Sequence, residues 1–180
     1  AGNEQLLSQH SDWTAKRATQ IAQRIGIDPR RARVLAIAAR LHDEGKQAPR
    51  WQRAFSAKED GLYAKTRGPL HLSLLAGYRH EFGSLPHAER DAAFVALTPE
   101  ERDLVLHLIA SHHGFARPLI RSDGCEDAPP SALEARAQEV SERFFRLQER
   151  WGPWGLAWWE ALLRAADQQA SRANDEQKLE

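Results

Sequence analysis

The chain has 180 residues, with 25 basic and 25 acidic side chains and a formal charge of zero, so its net charge does not indicate a nucleic-acid partner. No apolar run approaches the roughly 18 residues that a membrane-spanning helix needs, and no signal peptide is recognisable. A single cysteine, Cys125, excludes a disulfide framework or a thiolate metal site within the chain and predicts a reducing, cytoplasmic location. The chain contains no methionine, which predicts a piece of a longer polypeptide with Leu179-Glu180 as a cloning remnant.

The first part of the chain has the pattern of two helices. An apolar stripe at helical spacing predicts a helix over about residues 6–25. Asp28-Pro29 has the form of an N-cap followed by a first-turn proline, and it predicts a second, largely apolar helix. That helix ends at His42-Asp43, and we expect Gly45 to adopt the left-handed conformation that terminates helices. A short amphipathic turn at residues 50–55 and a polar loop at 56–69 follow.

The middle of the chain predicts three more helices. A helix over about residues 70–82 is followed by a connector at 83–86 and a helix at 87–96. Thr98-Pro99 again has the form of an N-cap and a first-turn proline, and this helix runs to the double histidine before Gly114. A glycine at this place is typical of a helix end.

The last part predicts two helices after an irregular segment at 115–130. Ser131 with Glu134 has the pattern of a capping box for a helix that reaches about Trp151. Gly152-Pro153 turns the chain into the final helix, which runs to about Ser171. No strand pattern of useful length occurs. We therefore predict an all-α single domain over residues 1–173, a helical bundle, with a disordered tail or cloning remnant at 174–180.

Imidazole and carboxylate side chains recur at helix ends and on inward faces. Such groups are the ligands that Fe, Mn, Co, Ni or Zn prefer, whereas an all-oxygen magnesium site would not need the imidazoles. Seven ligands are too many for one tetrahedral ion and suit two neighbouring ions, with Asp43 able to bridge them. The candidate metal ligands are His10, His42, Asp43, His71, His112, His113 and Asp167.

Three further histidines are interpreted as surface or structural residues. His80 follows His71 by nine residues and would point to the opposite face of the predicted helix. His107 precedes His112 by five residues and should also face elsewhere. His87 follows a proline at a predicted helix start.

The order of these residues resembles the HD superfamily of metal-dependent phosphohydrolases, and within it the HD nuclease domain of the CRISPR-associated helicase–nuclease of type I systems. The resemblance rests on His42-Asp43 with Gly45-Lys46, on His112-His113-Gly114 and on Asp167 with Ser171, and it extends from His10 across nearly the whole chain. It implies a first metal site of His10, His42, Asp43 and Asp167, and a second of Asp43, His71, His112 and His113. It also implies that Asp43 and Lys46 are catalytic, with Lys46 contacting the scissile phosphate.

The same resemblance implies an activity and partners. It predicts a metal-dependent nuclease that cleaves single-stranded DNA in CRISPR interference, using a water molecule that two divalent ions activate. A helicase domain, fused or separate, and a CRISPR RNA-guided surveillance complex would be its partners. Arginines within residues 10–53 and the aromatic rings of Trp13, Trp51 and Phe55 are candidate contacts to the strand, although core positions are the favoured interpretation of the rings.

Two other functions are compatible with these motifs. One is a phosphodiesterase or phosphohydrolase of small nucleotides, including the class that cleaves cyclic dinucleotides. That class follows its double histidine with an acidic residue and a Gly-Tyr-Pro element, whereas residues 114–118 here read Gly-Phe-Ala-Arg-Pro. The other is a catalytically silent docking or regulatory module, which is disfavoured because none of the expected ligand positions is missing.

Overall fold

A helical bundle accounts for most of the described chain, which in this computed structural model comprises residues 3–116 and 129–176. The helices within these ranges are α1 (Leu7–Arg24), α2 (Pro29–Leu41), α3 (Pro49–Ala54), α4 (His80–Arg90), α5 (Ala92–Val95), α6 (Pro99–Ser111) and α7 (Pro130–Glu176). Short 3-10 helices cover Glu44–Gln47 and Leu72–Leu75, and strands β1 (Gln5–Leu6) and β2 (Tyr63–Lys65) pair in antiparallel fashion. The prediction of an all-α fold is confirmed, with this small sheet as an addition.

Helix α2 lies at the centre of the bundle, where α1, α6 and α7 pack against it. Leu35 and Ala38 on this helix are fully buried, and Ile37 is nearly so. Burial of an aliphatic side chain of this size contributes about 1.5–3 kcal/mol, so the core holds α2 firmly on several sides. The end of α2, which leads into His42-Asp43, is thereby delivered to the interior.

Two predicted helix starts are confirmed by their caps. The Asp28 carboxylate accepts a hydrogen bond from the Arg31 amide at 3.0 Å, with Pro29 in the first turn of α2. Thr98 and Glu101 form a reciprocal capping box at the start of α6. The start of α7 differs from the prediction, because Pro130 is already helical and Ser131 therefore lies inside the helix.

The turn predicted at Gly152-Pro153 is a kink within α7. Gly152 has a φ of 65° and a ψ of 170°, a conformation that glycine adopts without steric cost. Pro153 has no amide hydrogen to complete the helical ladder. The chain continues to Glu176, so residues 174–176, assigned to the tail by the sequence, are helical. Asn174 is buried and exchanges two hydrogen bonds with Asn3.

The segment from residue 70 to 96 differs from its prediction. In place of one helix over 70–82, the 3-10 helix Leu72–Leu75 is followed by Ala76 and Gly77, whose φ values of 48° and 83° are left-handed. Left-handed residues end a helix, and α4 begins anew at His80. It continues through residues 83–86, which were predicted to be a connector.

Two predictions concern residues that the structure does not describe. Cys125 and residues 177–180, which include Leu179-Glu180, are outside the described residues. Among the described helices, none combines the length and the apolar character that crossing a membrane would require.

Candidate metal centre

Five elements bring imidazoles and carboxylates to one place. His10 lies in α1, His42 and Asp43 directly follow α2, and Asp167 lies in the second half of α7. His80 is the first residue of α4, and the pair His112-His113 directly follows α6. Each of these residues lies in a helix or directly after one, so the packing of the helices sets their backbone positions.

The first group gathers around one oxygen of Asp43. The Nε2 atoms of His10 and His42 each lie 3.4 Å from Asp43 Oδ2. Asp167 Oδ1 lies 3.1 Å from His10 Nε2 and 3.8 Å from His42 Nε2. The structure therefore brings together all four residues that were expected to hold the first metal.

The second group faces the other oxygen of the same carboxylate. His80 Nε2 lies 3.1 Å from Asp43 Oδ1, and His112 Nε2 lies 3.7 Å from it. His113 Nε2 lies 3.0 Å from His80 Nε2. Nitrogens of His80, His112 and His113 lie within 4.8 Å of one another, as do ligand atoms of His10, His42 and Asp43. Asp43 is thus the residue between two groups of possible ligands.

Two imidazoles of this centre, those of His42 and His112, each have one ring nitrogen that makes no hydrogen bond within the described residues. His42 Nδ1 lies 2.8 Å from the carbonyl oxygen of Ala39, and His112 Nδ1 lies 2.6 Å from that of Ile109. Because a carbonyl only accepts hydrogen bonds, each Nδ1 carries the proton and each Nε2 keeps a lone pair. Both Nε2 atoms are buried without a hydrogen-bond partner among residues 3–116 and 129–176. A buried lone pair oriented in this way is the arrangement of a metal-binding histidine, so the residues fit a metal.

The protonation states suit the same role. Burial lowers the pKa of His42, and it lowers that of His112 well below its ordinary value, so both rings are neutral near pH 7. Burial alone would raise the pKa of the Asp43 carboxyl, but the Lys46 ammonium and a hydrogen bond with His80 hold it well below its usual range. The pKa of Asp167 is also lowered, because its hydrogen bond with His10 outweighs burial. Metals bind neutral imidazoles and ionised carboxylates.

Lys46 is the cation of this centre. Its Nζ lies 2.6 Å from Asp43 Oδ2, and its side chain is 14 % exposed. Its Nζ also lies over the Trp51 ring, 5.4 Å from the ring centroid. Lys46 therefore lies at the edge of the first group with a path to solvent.

His71, expected as a ligand of the second metal, is not among these imidazoles. It is exposed and lies just before the 3-10 helix Leu72–Leu75, and its amide donates to the carbonyl of Ala54 at 2.7 Å. His80, assigned to the opposite face, contacts Asp43 in its place. The inference failed because it counted nine residues along one continuous helix, whereas the left-handed Ala76 and Gly77 separate the two histidines. Gly77 was the visible sign of that break.

The other two histidines are outside the centre, as expected. His107 is buried, with its Nε2 2.7 Å from Glu160 Oε1. This pair links α6 to α7 and is structural. His87 is exposed on α4.

Gly45 is needed for close packing against α4 and not for the left-handed conformation that was expected. Its backbone is not left-handed, and it lies in the 3-10 helix Glu44–Gln47. It is packed against α4, with its amide donating to Ser84 Oγ at 2.8 Å and its carbonyl accepting from the Tyr78 hydroxyl at 2.7 Å. Ser84 Oγ also lies 2.8 Å from the His42 carbonyl oxygen. The absence of a side chain at Gly45 is thus what lets α4 bring His80 to the centre.

All three aromatic rings considered as strand contacts are buried or half-buried. Trp51 is buried and stacks on the half-buried Phe55, with 4.2 Å between ring centroids. Trp13 is half-buried on α1, beside Lys16 and Arg17. Core positions for these rings agree with the favoured interpretation.

Comparison with known families gives a match over nearly the whole chain. The family described as "Cas3, HD domain" matches residues 3–178, nearly the whole chain. Searches of curated proteins and of solved structures each gave no significant match.

Proposed function

The chain belongs to the Cas3 HD-domain family, and we propose that it is a nuclease that hydrolyses phosphodiester bonds of single-stranded DNA with two divalent transition-metal ions. Membership of this family, together with the histidine and aspartate cluster, makes the protein a metal-dependent hydrolase of the HD type. The strand specificity, the number of ions and their identity are the parts that we propose.

The observation that carries the proposal is the position of Asp43 between two groups of imidazoles. Its Oδ2 faces His10 and His42, and its Oδ1 faces His80 and His112. Two ions that share a carboxylate would use its two oxygens in this way. A single structural ion would need only one of the two groups as ligands.

The residues divide into two ligand sets. His10, His42, Asp43 and Asp167 would hold one ion, and Asp43, His80, His112 and His113 the other. Fe, Mn, Co or Ni suit these nitrogen and oxygen donors, and Zn is a further candidate. Such ions, when bound, lower the pKa of a water molecule and neutralise charge on a phosphodiester. His80 replaces His71 in this assignment.

The chain itself contributes orientation and charge. The carbonyls of Ala39 and Ile109 fix the rings of His42 and His112, so that both Nε2 lone pairs face Asp43 before any ligand arrives. Gln5, held in β1, lies 3.2 Å from His10 Nδ1 through its Oε1 and orients that ring. Lys46 supplies a positive charge that would stabilise negative charge on the phosphate oxygens in the transition state. No side-chain nucleophile is required.

The substrate and the partners rest on the family. A nuclease of CRISPR interference would receive single-stranded DNA from a helicase, fused or separate, that an RNA-guided surveillance complex recruits in the cytoplasm. Residues 114–118 carry none of the acidic and Gly-Tyr-Pro features of the cyclic-dinucleotide class, which favours the polymer substrate.

The test is a comparison of substrates with the purified protein and added Mn²⁺, Co²⁺, Ni²⁺ or Fe²⁺. We expect cleavage of labelled single-stranded DNA, and much slower turnover of cyclic dinucleotides and nucleoside triphosphates. His42→Ala and Asp43→Ala should each lose activity by more than the roughly 10- to 100-fold that removing an outer-shell partner of a metal ligand costs. His87→Ala, on the exposed face of α4, is the matched control and should cleave normally. Intact DNA with every metal would refute the nuclease.

A further inference from the structure

An exposed aromatic ring lies next to the second group of imidazoles. Phe115 follows His113 by two residues, and its side chain is 53 % exposed. Arg79 directly precedes His80, and its guanidinium carbon lies 3.6 Å from the centroid of the Phe115 ring. Because His80 Nε2 and His113 Nε2 are 3.0 Å apart, the stacked pair is attached on both sides to residues of the metal centre.

Contacts with Glu81 and Phe82 hold the Arg79 side chain in place. Arg79 Nε donates to Glu81 Oε1 at 2.6 Å, and a guanidinium NH2 group contacts the same carboxylate. Glu81 is 3 % exposed, and the guanidinium also lies 5.2 Å from the centroid of the buried Phe82 ring. The Arg79 guanidinium thus contacts the buried Phe82 ring as well as the exposed Phe115 ring.

This arrangement differs from an ordinary surface ion pair or a protein-docking patch. The Arg79 charge is already paired with a buried carboxylate, so the guanidinium supports the ring and is not free to bind a phosphate. An exposed aromatic ring on a fixed support is the kind of surface on which nucleobases stack, and stacking is tolerant of sequence because every base has a π-face. Its attachment to His80 and His113 places that surface beside the metal centre.

We propose that Phe115, supported by Arg79, stacks on a nucleobase of the single-stranded substrate next to the bond that is cut. The inference rests on the proposed nuclease function, which it extends by naming a substrate-positioning residue. Stacking of one base is worth about 5- to 150-fold in binding, and its loss would be felt in KM more than in kcat. Arg79 would act only through the ring.

The test is a double-mutant cycle in which one change is made in the protein and the other in the substrate. Labelled oligonucleotides carry a single abasic residue, moved one position at a time past the cleaved bond, and each is compared with the intact strand. For the wild-type protein, one position should raise KM about 5- to 150-fold when its base is missing. For Phe115→Ala, KM for the intact strand should already be raised, and the same abasic residue should add nothing further.

Three further variants sharpen the cycle. Phe115→Trp keeps a stacking ring and should restore sensitivity to the missing base. Arg79→Lys keeps the charge but loses the planar support, so its KM should lie between those of wild type and Phe115→Ala. Phe145→Ala removes a ring of similar exposure, 59 %, from α7 and should behave as wild type. Melting temperatures of all variants check that they are folded.

The possible results distinguish the stacking role of Phe115 from the nuclease function itself. If Phe115→Ala shows wild-type KM on the intact strand, or the same abasic penalty as wild type, the stacking role is refuted while the nuclease function stands. If the wild-type protein cleaves no strand with any metal, the nuclease function fails and the stacking role with it.

Discussion

Replacing Gly45 by alanine should displace the helix that carries His80. A Cβ atom at this position would lie 2.1 Å from the His80 carbonyl oxygen, 2.8 Å from the Ser84 amide nitrogen and 2.9 Å from the Gly83 carbonyl carbon. Ordinary contacts of a Cβ begin at 3.4 Å. Because all three obstacles are backbone atoms, no side chain can rotate away, and α4 must move outward by about an ångström.

This displacement determines the expected losses of stability and of cleavage rate. Overpacking of this kind costs about 1–3 kcal/mol. In a domain of this size each kcal/mol shifts the melting temperature by about 2–4 °C, so Gly45→Ala should melt about 2–12 °C lower. The same movement draws His80 Nε2 away from Asp43 Oδ1, now 3.1 Å distant. A misplacement of about 1 Å in a catalytic centre can cost 10²-fold in rate.

The assay combines calorimetry with DNA cleavage by the folded variant. Gly155→Ala is the matched control, because its Cβ would meet only the Trp151 Cβ, at 3.4 Å. Alanine is preferred to glycine within a helix by roughly 0.5–1 kcal/mol, so this variant should melt no lower than wild type. Wild-type melting and wild-type cleavage by Gly45→Ala would show that close approach is not why glycine is needed.

Two other predictions concern the histidines. His80→Ala should reduce metal-dependent cleavage by about 10²-fold, whereas the exposed His71→Ala should leave it within twofold of wild type; the reverse order in a rate assay would restore the assignment of His71. For the metal-free protein, burial lowers the pKa of His42 and His112 from the unfolded value of 6.5. The unfolded chain therefore takes up these protons first, and their contribution to stability is complete above about pH 6.5 and is lost as the pH falls below it. Thermal scans between pH 7 and pH 5 should show a falling melting temperature, and a rise on acidification would contradict the burial of neutral rings.

Much of the centre was predictable because local signals set its helices. Asp28-Pro29 and Thr98-Pro99 are strong start signals, and both helices end directly before their histidines. The positions of His42, Asp43, His112 and His113 at helix ends therefore follow from caps and periodicity. His10 and Asp167 were also predicted from their place on inward helix faces, and the family pattern assigned them to the first metal.

His80 was missed because tertiary contacts decide where α4 begins. Ala76 adopts a left-handed conformation that alanine disfavours locally, so the sequence around it still resembles a helix. The new start is fixed by the contacts of Gly45 with Ser84 and Tyr78, which lie more than thirty residues away along the chain. Gly77 indicated a break, but not the face that His80 would present after it.

The pairing of Arg79 with Phe115 was equally hidden. The two residues lie in different elements, and neither belongs to a recognisable motif. Only the meeting of α4 with the end of α6 brings the guanidinium onto the ring. Contacts of this kind depend on how helices pack, which periodicity within one helix cannot specify.

The central claim is that Asp43 joins two metal sites, and a count of bound ions tests it most directly. Elemental analysis of protein loaded with Mn²⁺ and then dialysed, combined with anomalous scattering from a crystal, would give the ions per chain and their ligands. We predict two ions in the wild-type protein, one lost in His80→Ala, and both lost in Asp43→Ala. A wild-type protein that retains no ion, or one that retains a single ion unaffected by Asp43→Ala, would contradict the account.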